Sequence, residues 1–150
     1  MRVDFYHLQK WPLEKALPQL LGKVRHAGYR AVVRAASRDR IESLSGVLWT
    51  YDPNSWLAHG TAEDGRAAEQ PIWLTDERDN PNGASVLVLT DGMDAEDIDA
   101  FERCLDIFDG NDQEALAAAR KRWAAARDEG HELHYWQQTD RGGWEEKSQA

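Results

Sequence analysis

The chain has 150 residues, 27 acidic and 18 basic, giving a formal charge of -9, with 41% hydrophobic and 30% charged residues. That describes one globular domain with a single core, too charged for a membrane protein and too apolar for a disordered one. No run approaches the roughly 18 apolar residues of a spanning helix, the first residues lack a leader's apolar stretch, and a lone cysteine, Cys104, excludes an internal disulfide or a multi-cysteine metal site. A cytoplasmic protein is the expectation.

Val3 to Leu8 reads as a short strand with aromatic and β-branched residues. Pro12 suits a first helical turn, and Leu13, Leu17, Leu20, Leu21 and Val24 recur at helical spacing. Pro18 falls inside that pattern and is expected to kink the helix or delay its start. Gly28 is its stop. Ala31 to Ala36 is nearly all apolar, as a strand buried on both faces requires. Ser37 caps a helix carrying Leu44, Val47 and Leu48, followed by turn residues from Asp52 to Ser55. A polar loop runs to about Gln70. Strands are expected over Pro71 to Thr75 and Ser85 to Thr90, separated by a turn from Asp79 to Gly83.

Asp94 and Asp97 suit the start of a helix running to about Arg103. Leu105 to Phe108 is a further strand. Asn111 and Glu114 form a capping-box-like pair opening a long helix that ends near Glu129, with Gly130 as its stop. Leu133 to Gln137 is a last strand, and residues 139–150 read as a polar tail carrying Trp144. Strands alternating with helices predict an α/β fold with a mainly parallel sheet in one domain, residues 1–150.

Charge is unevenly placed. Residues 1–50 are net +5, residues 51–112 net -13 and residues 113–150 net -1. The middle is a strongly acidic set of loops or one acidic face, with basic stretches on both sides that could meet an acidic partner. An acidic balance argues against a surface that grips nucleic acid directly and strongly.

The usual signatures of chemistry are missing. Neither G-x-G-x-x-G nor G-x-x-x-x-G-K-[ST] occurs, and Gln9-Lys10-Trp11-Pro12 follows the first strand where phosphate-binding glycines would stand. His131 and His134 lack the His-Glu-x-x-His pattern and read as structural. The segments Asp91-Gly92 and Asp109 to Asp112 read as turn and cap residues rather than a calcium loop. Cys104 reads as a buried, inert thiol. No metal, no cofactor and no catalytic residue is therefore expected. A nucleotide-dependent enzyme of Rossmann-like fold remains the alternative, and it would need a polar cleft at the strand C-terminal ends.

Two constellations remain. On the long helix, Leu116, Ala119, Trp123 and Ala126 form a core stripe. Arg120 and Arg127 lie two turns apart beside it, with Lys121 and Arg122 further round. Such a cationic rail edged by an aromatic suits an acidic peptide with an apolar end. The second constellation is Leu48 to Gly60, where Trp49, Tyr51 and Trp56 flank a turn at Pro53. Large apolar groups in a loop suggest burial by a partner or a folded-back cover for the sheet edge.

These residues resemble the chi subunit family of bacterial DNA polymerase III. The likeness rests on Leu48-Trp49, Trp56-Leu57 with His59-Gly60, Gln70-Pro71-Ile72, Phe101-Glu102-Arg103, Phe108-Asp109-Gly110, Ala119 to Trp123, Gly130-His131, Tyr135 to Gln138 and Gly143-Trp144. The resemblance implies a non-enzymatic, Rossmann-like adaptor without a cofactor. It implies binding to the acidic, phenylalanine-ended tail of single-stranded-DNA-binding protein at Arg120, Trp123 and Arg127, with Lys121 available. It further implies that the psi subunit or another clamp-loader component meets Trp49, Pro53, Trp56 and Leu57. Family members carry basic residues where this chain has Leu116 and Ala124, which thins the rail, and a proline where it has Ala58.

Overall fold

The structure, a computed structural model, describes residues 2–51, 57–93 and 97–147. Within these residues seven strands form one sheet: β1 (Arg2–Leu8), β2 (Ala31–Arg34), β3 (Ile72–Thr75), β4 (Val86–Leu89), β5 (Arg103–Asp109), β6 (Glu132–Gln138) and β7 (Trp144–Lys147). Their order is β3-β2-β4-β5-β1-β6-β7. All pairings are parallel except β6 with β7. Among the described residues three α-helices complete it: α1 (Leu13–His26), α2 (Arg38–Thr50) and α3 (Gln113–Asp128). Their apolar stripes dictate the layers. Helices α1 and α2 bury Leu17, Leu21 and Leu44 with Val33 and Leu105 on one face of the sheet. Helix α3 buries Ala119, Trp123 and Ala126 against Val3, Phe5 and Leu133 on the other.

Local chemistry explains the helix ends. Ser37 Oγ accepts from the Arg40 amide at 3.2 Å. Gly28 and Gly130 adopt φ of +89° and +83°, and Tyr29 N to Val24 O and His131 N to Ala126 O close the turns behind them. One half of the proline expectation is corrected: α1 begins at Leu13, and Pro18 sits buried inside it without delaying its start. Its ring removes one amide donor from the helix, while the leucine stripe around it stays packed.

Three further expectations are corrected. Asp94 lies outside the described residues, and from Asp97 to Arg103 the expected helix is replaced by a single 3-10 turn, Ile98–Ala100, with Arg103 already in β5. Strand pairing claims this stretch, since Glu102 and Arg103 both donate to Ser85 O, and Asp97 is drawn to Arg34 instead. The cap of α3 is Asp112, which accepts from the Glu114 and Ala115 amides, while Asn111 Nδ2 donates to Gln9 O. The tail over 139–150 contains a strand, because β7 pairs with β6 and Trp144 stands edge-on to Tyr6 at 5.0 Å.

Loops replace helices over β2, β3 and β4 on the α3 side, where Phe101 and Ala84 are buried. Arg34, fully buried, pins them by a bidentate pair with Asp97 at 2.8 Å and a bond to Asp79 O at 3.3 Å. The sheet edges are guarded. Gly60 bridges the outer side of β3, and β7 carries Glu145, Glu146 and Lys147 on the opposite edge.

Candidate functional site

Helix α3 divides its cations between two flanks. Arg122 turns toward β5 and grips Asp106, with Nε–Oδ2 at 2.6 Å and Nη2–Oδ1 at 3.0 Å. Asp106 is buried, so this is an internal ion pair. Arg120 lies near His7 and Tyr135 and acts on both, and Arg120, Lys121 and Arg127 are exposed. Among the described residues Arg127 has one ion pair, with its neighbour Asp128 at 3.8 Å. No carboxylate lies within ion-pair distance of Arg120 among the described residues.

Trp123 is buried, 8% exposed, and belongs to the core. Its ring stands edge-on to Phe5 at 5.1 Å and to Tyr135 at 5.8 Å. The expectation that Trp123 offers contact surface is corrected: it backs the site, and the half-buried Tyr135 of β6 fronts it. Beneath Arg120, His7 Nδ1 and the Tyr135 hydroxyl are hydrogen-bonded. A Cβ on Gly110 would stand 1.8 Å from His7 Nε2, so only glycine lets the ring lie there. Burial and then the Arg120 charge hold the His7 imidazole below its ordinary value. Lys147 joins the same flank, because the β6–β7 register sets it opposite Tyr135. Sequence reasoning missed His7, Tyr135 and Lys147. Only Tyr135 left a trace, as part of the motif from Tyr135 to Gln138.

The second constellation is partly described. Pro53 and Trp56 lie outside the described residues. Trp49, near the end of α2, is 53% exposed, and its ring centre is 4.8 Å from that of His59. His59 is buried and fixed, with Nδ1 donating to Leu57 O at 2.8 Å and Nε2 against Ser45 Oγ at 3.1 Å. Leu57, expected at an interface, is 7% exposed and packs in the core between the sheet and α1–α2.

A cleft of about 830 Å³ opens where the nucleotide-binding alternative requires one, at the C-terminal ends of β1 and β5. Its chemistry opposes a phosphate. Glu14, Asp91, Asp109, Asp112 and Glu114 line it, and Arg40 is already held by Glu14 at 2.7 Å and Asp91 at 3.1 Å. The amides of Gln9, Lys10 and Trp11 all donate to Gln138 Oε1, at 3.1, 2.9 and 2.8 Å. A buried side chain thus fills the place where a dinucleotide fold holds its pyrophosphate.

The remaining reactive side chains are accounted for. His131 pairs with Glu129 at 3.1 Å, and His134 with Glu132 at 2.7 Å and Glu146 at 2.6 Å. No group of three potential metal ligands occurs among the described residues. Cys104 is buried, and burial pushes its thiol well up. Among the described residues no helix is long and apolar enough to cross a membrane.

The sequence profile of the family described as DNA polymerase III chi subunit, HolC, matches residues 1–134. A curated relative, "Probable DNA polymerase III subunit chi" of Rickettsia prowazekii (strain Madrid E), is 33% identical over 105 residues. That alignment spans 70% of this chain and 64% of the relative, just under two thirds of its length. With the profile covering most of the chain and the mainly parallel α/β sheet in place, the chain belongs to the DNA polymerase III chi subunit family.

Proposed function

We propose that this protein is a non-catalytic adaptor of the bacterial replicase, acting in the cytoplasm at the replication fork. It links the clamp-loader complex to single-stranded-DNA-binding protein by gripping the acidic C-terminal tail of that protein. Arg120, Arg127 and Lys121 hold the tail's carboxylates, and its terminal phenylalanine rests beside Tyr135, with Trp123 behind. Trp49, with Pro53 and Trp56, faces the psi subunit or another clamp-loader component. Neither site uses a metal or cofactor.

The observation that carries this reading is the exposed flank of α3. Arg120 stands there without an ion-pair partner among the described residues, beside a half-buried aromatic ring. A guanidinium kept from internal pairing is available for a partner's carboxylate, and charged hydrogen bonds are the stronger kind. The acidic cleft and the -9 charge favour reaching DNA through a protein that coats it rather than through phosphates. Many tails on one coated strand raise the local concentration, so each grip can be weak.

The test is calorimetric titration of the full chain with a tail peptide, with and without its last phenylalanine. Tight, salt-sensitive binding that requires the phenylalanine is expected. Unchanged affinity in Arg120→Ala would sink the site. A melting screen with ATP and NAD tests the enzyme alternative, and no stabilisation is expected.

A further inference from the structure

Tyr29 and Trp49 are the two large apolar side chains left exposed among the described residues, at 44% and 53%. Trp49 belongs to the segment discussed above. Tyr29 belongs to no site assigned so far. It follows Gly28 at the end of α1, and its amide donates to Val24 O at 3.1 Å, which fixes its backbone. Beside it a pocket of about 120 Å³ opens between the end of α1 and the starts of β4 and β5. Leu20, Val24 and Leu105 give it apolar walls, and Lys23, Arg103 and Tyr29 stand with them. None of its lining residues is a carboxylate, in a chain with 27 of them.

The positive charge at this corner is not cancelled. Arg25 Nη1 donates to Tyr29 O at 2.8 Å, and Arg30 Nη1 to Ala68 O and Asn82 O at 2.9 Å. Bonds to backbone carbonyls occupy the donors and leave the full charges in place. Asp4 is shared between Arg2 at 3.1 Å and Arg103 at 2.7 Å, and Glu132 adds a second negative charge near Arg2. Lys23 has no ion pair among the described residues. Lys23, Arg25 and His26 offset the negative end of α1. That accounts for the last helical turn but for neither Arg103 nor the exposed ring.

We propose that this corner is a second docking site, for an acidic peptide segment that places one apolar side chain in the pocket beside Tyr29. Lys23 and Arg103 receive flanking carboxylates, and Arg25 and Arg30 extend the field along the chain. The site lies on the α1 face at the N-terminal ends of the strands, whereas Arg120 is on the α3 face, so both can be occupied together.

The experiment is fluorescence anisotropy on the full chain with an end-capped probe, Asp-Glu-Phe-Asp-Glu-Asp, and its Phe→Ser version. Lys23→Glu is expected to weaken the probe about ten-fold and Tyr29→Ser about five-fold, with loss of binding for the serine probe. Both residues are exposed, and matched thermal melts check the fold. Probe-induced amide shifts should fall on residues 23–30 and 103. The proposal is overturned if the two variants bind the probe as well as the parent chain, if only Arg120→Ala weakens it, or if no binding is seen at millimolar protein. It is also overturned if oligothymidylate, and not the peptide, binds in a Lys23-dependent way.

Discussion

Arg120 and Arg122 stand two residues apart on one helix and have opposite fates. Arg122 is drawn inward to a buried carboxylate and serves the fold. Arg120 is turned outward over a His7–Tyr135 pair and is available to a partner. In a run of three consecutive cations, the partner in space decides which one can act outside the molecule. The difference teaches that a cationic stretch counts as a binding site only where the fold leaves it unpaired.

The largest test of that contrast is Arg122→Ala. It strands Asp106 as a buried charge and is expected to lower stability by about 3–5 kcal/mol in urea unfolding. If stability barely changes, the inward flank is not structural. Arg120→Ala is the mirror image: stability within about 0.5 kcal/mol of the parent, but a loss of about 1.5–3 kcal/mol in tail binding. A variant that loses stability and keeps tail affinity would reverse the assignment of the two flanks. Lys147→Ala tests the edge strand's share. A loss of about 0.5–1 kcal/mol in tail affinity is expected, since its charge is exposed and met by Glu145.

The smallest effects separate two histidines by pH. Hydrogen bonds donated to Glu132 and Glu146 hold His134 above its ordinary value, whereas burial and Arg120 hold His7 below it. His134 therefore contributes stability that is full below its unfolded pKa, about 6.5, and is lost as pH rises through its folded value. His7 contributes in the opposite sense: its neutral form is favoured, and stability is lost as pH falls from about 6.5 through its folded value. NMR titration of the ring protons should order them with His134 above His7. Coincident curves would mean that neither environment is as described.

The order of elements was legible because their signals are local. Ser37, Gly28 and Gly130 act on amides and carbonyls within a turn, and α1 and β4 carry their own apolar patterns. The α3 stripe was legible for the same reason. The stretch from Asp97 to Arg103 was not, because strand pairing with Ser85 and the pull of Arg34 outweigh an acidic pair's preference for a helix start. Trp144 read as tail because β7 is short and polar, and its pairing with β6 depends on a neighbour rather than on its own pattern.

By itself, then, the sequence determined the α/β class, the helix boundaries set by local caps, the absence of a glycine phosphate loop and the presence of cations beside an apolar stripe. Those follow from short-range hydrogen bonding and periodicity. Only the tertiary structure decided which cations are spent inside, that Gln138 fills the loop after β1, and that His7, Tyr135 and Lys147 gather beneath and beside Arg120. Each joins residues on separate elements of the fold, and no local pattern encodes a contact of that kind.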